Sequence, residues 1–141
     1  MATRETQKLK KLIYDELTAD STLQTLLGGS GKIKHGTPLQ YAEYPCVTYN
    51  ITNEEDDPYS CDRIAGLART RLSIQVFSAS SASDEADDVE DQIYAILHGE
   101  RLYNADILVY TAYRVGINRL FDAETKSWRV EARYELVNVA R

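Results

Sequence analysis

Cysteine, histidine and tryptophan are scarce in this chain, and so are long apolar runs and any excess of basic charge. Only Cys46 and Cys61 are present among 141 residues, too few for a disulfide-stapled secreted scaffold, and no Cys-x-x-Cys spacing offers a redox pair or a zinc knuckle. Reduced thiols are the expectation. The two histidines, His35 and His98, fall in a Gly/Pro-rich loop and at a helix end, with no nucleophile beside either in the sequence, so general-base catalysis has no evident carrier. The run GGSGK has the wrong spacing for a phosphate-binding loop and lacks the following Ser or Thr, and no Gly-x-Gly-x-x-Gly occurs. The opening MATRETQKLKKLIYDEL lacks the uninterrupted apolar core of a signal peptide. No later stretch approaches the roughly 18 apolar residues of a membrane span, so the expectation is a soluble protein. Sixteen Lys plus Arg against twenty-two Asp plus Glu give a formal charge of −6, which argues against a general nucleic-acid binder, since such binders draw affinity from phosphate neutralisation.

What is present suits one ordinary domain spanning residues 1–141. A chain of this size buries roughly 68% of its unfolded surface and needs no metal or disulfide to hold a core. Between Glu5 and Leu17, the spacing of Leu9, Leu12, Ile13 and Leu17 predicts an amphipathic helix. A short second helix, capped by Asp20 or Ser21, carries Leu23, Leu26 and Leu27 up to Gly28 and Gly29. GSGKIKHGTPLQYAEYP reads as loop with one short extended piece near Ile33, and CVTYNIT reads as a strand. A long loop, about 53–68, separates it from the strand RTRLSIQVFSA.

A third helix follows, capped by Ser81 or Ser83, with a buried line of Ala86, Val89, Ile93 and Ile96 or Leu97, ending at Gly99. Two further strands, DILVYTAYRV and SWRVEARYELVNV, are joined through the polar turn DAETKS. In the last, Trp128, Val130, Ala132, Tyr134 and Leu136 alternate with Arg129, Glu131, Arg133 and Glu135. Strict alternation along DILVYTAYRV puts Ile107, Val109, Thr111, Tyr113 and Val115 on one face, and Leu108, Tyr110, Ala112 and Arg114 on the other. Neither face is fully polar, as expected either of a strand covered by helix on one side and by a neighbouring subunit on the other, or of an ordinary central strand whose outer face holds an aromatic. The expected fold is α+β, an antiparallel sheet of about four strands with amphipathic helices on one face.

Two acidic clusters stand out. Glu54, Glu55, Asp56 and Asp57, with Asn53, supply oxygen ligands but not the twelve-position pattern of an EF-hand, so a solvated loop is the reading and no metal site is assigned. Asp84, Glu85, Asp87, Asp88, Glu90 and Asp91 crowd one helix start, where they favour its dipole and suit a face toward water or a basic partner. Ten tyrosines against two phenylalanines and one tryptophan suit surfaces that are part apolar and part hydrated.

Four stretches carry a resemblance: IYDELTADSTLQTLLGG, YPCVTYNIT, RLSIQVFSASSASDEADDVEDQIYAIL and RLFDAETKSWRVEARYEL. In their order and lengths they resemble the tail-completion family of long-tailed phages, the tail-terminator or head-to-tail joining proteins. The resemblance implies a structural protein, not an enzyme, with no catalytic residues and no cofactor. It implies a homo-oligomer, commonly a hexameric ring, located in the virion tail after assembly in the host bacterial cytoplasm. The ring would sit at the head-proximal end of the tube, stop its polymerisation and present a head-joining surface. The partners implied are the tail tube protein and a head-completion or connector protein. DNA would pass through without specific binding, and no membrane is involved. The alternative within the same class is a head-completion connector or a minor tail protein. On this reading the expected subunit or partner contacts are Asp56, Asp57, Tyr59, Arg63, Tyr110, Arg114, Arg129 and Arg133. Asp84, Asp87, Asp88 and Asp91 are the expected lumen-facing acidic surface, where negative charge would repel phosphates.

Overall fold

The computed structural model describes residues 2–36, 45–56, 68–79, 84–123 and 126–140. Helix α1 (Ala2–Ala19) buries Leu9, Leu12, Ile13 and Leu17, the stripe that the three- and four-residue spacing predicts. Asp20 caps α2 (Ser21–Leu27) by accepting the Leu23 amide at 2.8 Å, and it also accepts Gln92 Nε2 at 3.1 Å, which ties the cap to a later helix. Gly28 ends α2 at φ 81°, a left-handed conformation that glycine adopts without a side-chain penalty. A 3₁₀ turn (Ser30–Lys32) leads into β1 (Ile33–His35).

The remaining elements are β2 (Cys46–Asp56), β3 (Ala68–Ser78), α3 (Asp84–Leu97), β4 (Leu102–Tyr103), β5 (Ile107–Asp122) and β6 (Ser127–Ala140). They form one sheet in the order β1-β2-β3-β6-β5-β4. All pairings are antiparallel except β1 with β2. The expectation of about four strands is therefore corrected to six, in a mixed sheet. The additions are β1, the short extended piece expected near Ile33, and β4, both too short to show a period. The helices-on-one-face architecture holds: Val47 and Tyr49, Leu72, Ile74 and Val76, Val130, Ala132, Tyr134 and Leu136 form one core with the buried stripes of α1, α2 and α3.

The expected loop also starts later. β2 runs on to Asp56 and β3 resumes at Ala68, with Glu55 opposite Arg69 in the register. Asp57, Tyr59 and Arg63 lie outside the described residues, as do Ser81 and Ser83, and Cys61.

Candidate assembly surfaces

The long hairpin of β5 and β6 organises the surface opposite the helices. Two β-bulges interrupt β5. The register steps from Val109 opposite Asn138 to Thr111 opposite Val137, and from Arg114 opposite Tyr134 to Gly116 opposite Arg133. Each extra residue reverses the alternation beyond it. The face assignment expected for this strand is thereby corrected: Ile107, Val109, Ala112 and Arg114 face the helices, while Thr111 and Tyr113 join the outer face. Tyr110 and Val115, the two inserted residues, are 40% and 50% exposed.

On β6 the alternation runs without interruption, so Arg129, Glu131, Arg133 and Glu135 all project from the outer face, as expected. Across β3 they meet Phe77, Gln75, Ser73 and Arg71, and across β5 they meet Leu120, Asn118, Gly116 and Tyr113. Arg133 lies along Gly116, where a Cβ would stand 2.8 Å from its Nη2, so the glycine is what lets the guanidinium rest on the sheet. The glutamates are recessed. Glu131 accepts Gln75 Nε2 at 3.2 Å, and Glu135 is 16% exposed and 3.9 Å from Arg69 Nη1. Burial, with Glu135 beside it, raises the Tyr113 phenol above its ordinary value.

Two clefts open on this face. One of about 450 Å³ is lined by Thr52, Arg71, Val115, Arg133 and Glu135 among others. The other, of about 420 Å³, lies at the hairpin end between Phe77, Leu120, Phe121 and Arg129. Arg129 is half-buried there, and its Nε is enclosed without a hydrogen-bond partner. Phe121 stacks obliquely on Trp128 at 5.1 Å while remaining 49% exposed.

On the helix side, the acidic cluster divides. Asp84, Asp88 and Asp91 are exposed along one stripe of α3. Asp87 instead accepts Arg119 Nε at 2.7 Å. Glu90 is fully buried, where its Oε1 accepts the Tyr134 hydroxyl at 2.6 Å and lies 3.7 Å from Arg114 Nη1, while Oε2 has no hydrogen-bond partner. Burial is the main cause that pushes the Glu90 carboxyl up from 4.5 to about 7, and the Tyr134 and Arg114 contacts hold it below where burial alone would put it. Burial and the neighbouring carboxylate likewise raise the Tyr134 phenol. Arg114, one of the expected contacts, is therefore turned into the fold. Its guanidinium lies over the Tyr94 ring at 4.3 Å, and its amide donates to His98 Nδ1 at 3.1 Å. His98 stacks on Tyr94 at 4.3 Å and so closes the helix end against β5 by its ring, not by the helix carbonyls.

Among the described residues no cluster of His, Cys, Asp and Glu could hold a metal ion, and no helix is long and apolar enough to cross a membrane. The geometry is that of a scaffold with two dissimilar faces. The family profile described as "Tail completion protein gp17" matches residues 11–138. The chain belongs to this tail-completion family. It is a structural protein of the phage tail with a tail-completion role, which bears out the resemblance carried by its four stretches. The family role also bears out the reading of a non-enzymatic chain, and it implicates the tail tube and head-joining proteins as partners.

A chain of the solved "Virion of native gene transfer agent (GTA) particle" has the same fold as this tail-completion protein. The TM-score is 0.75 over 94% of this chain and 95% of that one, at 16% identity. Comparison with curated proteins gives no match.

Sequence reasoning singled out Tyr110, Arg129 and Arg133 on the surface, and Asp56 at the end of β2. It missed Arg71, Val115 and Leu120, which the register and the second bulge bring beside them. The signal available for Arg71 was its alternation with Leu72 and Ile74.

Proposed function

We propose that this chain completes the tail as a closed ring, commonly of six copies, at the head-proximal end of the tube. There it stops tube polymerisation and provides the surface on which the head docks. Assembly takes place in the host bacterial cytoplasm, and DNA crosses the central opening without specific contacts. The observation that carries the reading is the family match over residues 11–138. Two unlike faces on opposite sides of one sheet support it, because repeated head-to-tail contacts close into rings. In dilute solution the free chain can remain monomeric, with the tube acting as template.

The test is negative-stain imaging of tails assembled from the cognate tube protein with gold-labelled chain. The expected result is label at one end of each tail. Label distributed along the tube would instead favour a minor tail component, and label on isolated heads a connector.

A further inference from the structure

The outer face of the sheet is basic in an acidic molecule. Among the residues whose side chains are described, it carries Arg69, Arg71, Arg129 and Arg133 against Glu131 and Glu135, while the whole chain has a formal charge of −6. An approaching partner meets the arginines first. Arg69, Arg71 and Arg133 are exposed, whereas Glu131 and Glu135 are recessed. Arg71 and Arg133 make no ion pair among the described residues, and the cleft of about 450 Å³ lies between them. Exposed apolar surface lies on the same face, with Val115 at 50% in the lining of this cleft, Tyr113 at 37% opposite Glu135, and Leu120 at 39% in the cleft at the hairpin end. A face of this composition matches the core and rim of a protein interface: tyrosine, aliphatic side chains and arginine, with few exposed acids.

The complementary charge lies on the same molecule, on the far side of the sheet. Asp84, Asp88 and Asp91 recur on α3 at helical spacing and point away from the core, after Asp87 and Glu90 have been drawn toward β5 and β6. We propose that the outer sheet face of each subunit receives the α3 stripe of the next copy, a contact that rests on the ring reading above. A two-fold arrangement would set arginine against arginine. A head-to-tail arrangement sets opposite charges together at every contact, and such a contact propagates until the ring closes. Exposed ion pairs contribute little individually, so Tyr113, Val115 and Leu120 supply the affinity, and the charges set the register and the rate of encounter. This assigns the α3 stripe to subunit contact, in place of the lumen-facing role expected from sequence.

The experiment uses two full-length variants, Arg71→Glu/Arg133→Glu and Asp88→Lys/Asp91→Lys, each shown by thermal melting to be folded. Association is measured by analytical ultracentrifugation and mass photometry on tube protein as template. Each variant alone should lose at least tenfold in ring yield relative to wild type. Mixed one to one, they should associate with each other, since each then presents the charge that its neighbour lacks. Normal rings from Asp88→Lys/Asp91→Lys would overturn the proposal and return the stripe to the lumen or to solvent. Normal rings from the arginine variant, or two folded variants that fail to associate when mixed, would overturn it equally. Wild-type protein that forms no ring on the tube would remove the ring reading itself, an outcome distinct from the other three.

Discussion

Replacing Glu90 by Gln is expected to flatten the dependence of stability on pH between about 5 and 8, and to make the protein more stable than wild type at the upper end. The folded carboxyl ionises near 7 and the unfolded one near 4.5. A group raised in the folded state contributes its full stability below the unfolded value, and that contribution is lost as pH rises through the folded value. The window is therefore about 4.5 to 7, and the loss across it is roughly 3 kcal/mol by linkage. Gln accepts the Tyr134 hydroxyl as Glu does but cannot ionise, so the loss disappears. Asp91, whose charge also raises the Glu90 carboxyl, and Arg114, which lowers it, remain in place. Urea melts at pH 5 and pH 8 measure the effect. Wild-type and Glu90→Gln curves that fall in parallel across that range would show that Glu90 does not carry the pH dependence.

Replacing Arg114 by Met is expected to destabilise the fold by roughly 3 kcal/mol above pH 7, because removing one partner of a buried pair leaves the other charge uncompensated. Arg114 holds the Glu90 carboxyl down, so its loss raises that carboxyl further and steepens the decline toward high pH. At pH 5, where Glu90 is protonated, the cost should shrink to the lost stacking on Tyr94, on the order of 1 kcal/mol. Adding Glu90→Gln to Arg114→Met should bring stability at pH 8 to within about 1 kcal/mol of Glu90→Gln alone, above the sum of the two single changes, a coupling that independent sites would not show. If the double variant at pH 8 equals the sum of the two single changes, the pair is not acting as a unit.

This buried network was the least legible part of the chain from sequence. Glu90 sits among five other acids between Asp84 and Asp91, and its helical position places it one turn after Ala86 and one turn before Ile93. The period thus put it near the buried line, but six neighbouring carboxyls read more naturally as a solvated face. The partners that make its burial tolerable, Tyr134 and Arg114, come from strands far along the chain. Arg114 reaches it only because the bulge at Tyr110 reverses the alternation in β5, and nothing in DILVYTAYRV marks that residue as the inserted one. The second bulge, at Val115, precedes a glycine, and that glycine is the only local hint.

Other parts were readable because one physical rule acted alone. The uninterrupted alternation from Trp128 to Leu136 separated core from outer face without knowledge of any neighbour. Asp20 and Gly28 bounded α2 through the polar side chain and the left-handed conformation that helix ends require. Strand pairing obeyed no such local rule. β1 is three residues long and β4 two, and each exists by virtue of the strand beside it.

The proposed role requires the chain to end the tube. The direct measurement is tube extension: tubes capped with saturating chain are purified, fluorescent tube protein is added, and growth is scored at each end by microscopy. No fluorescent growth is expected from the end that holds the chain, and growth is expected from that end when the chain is left out. Equal extension with and without the chain would contradict it.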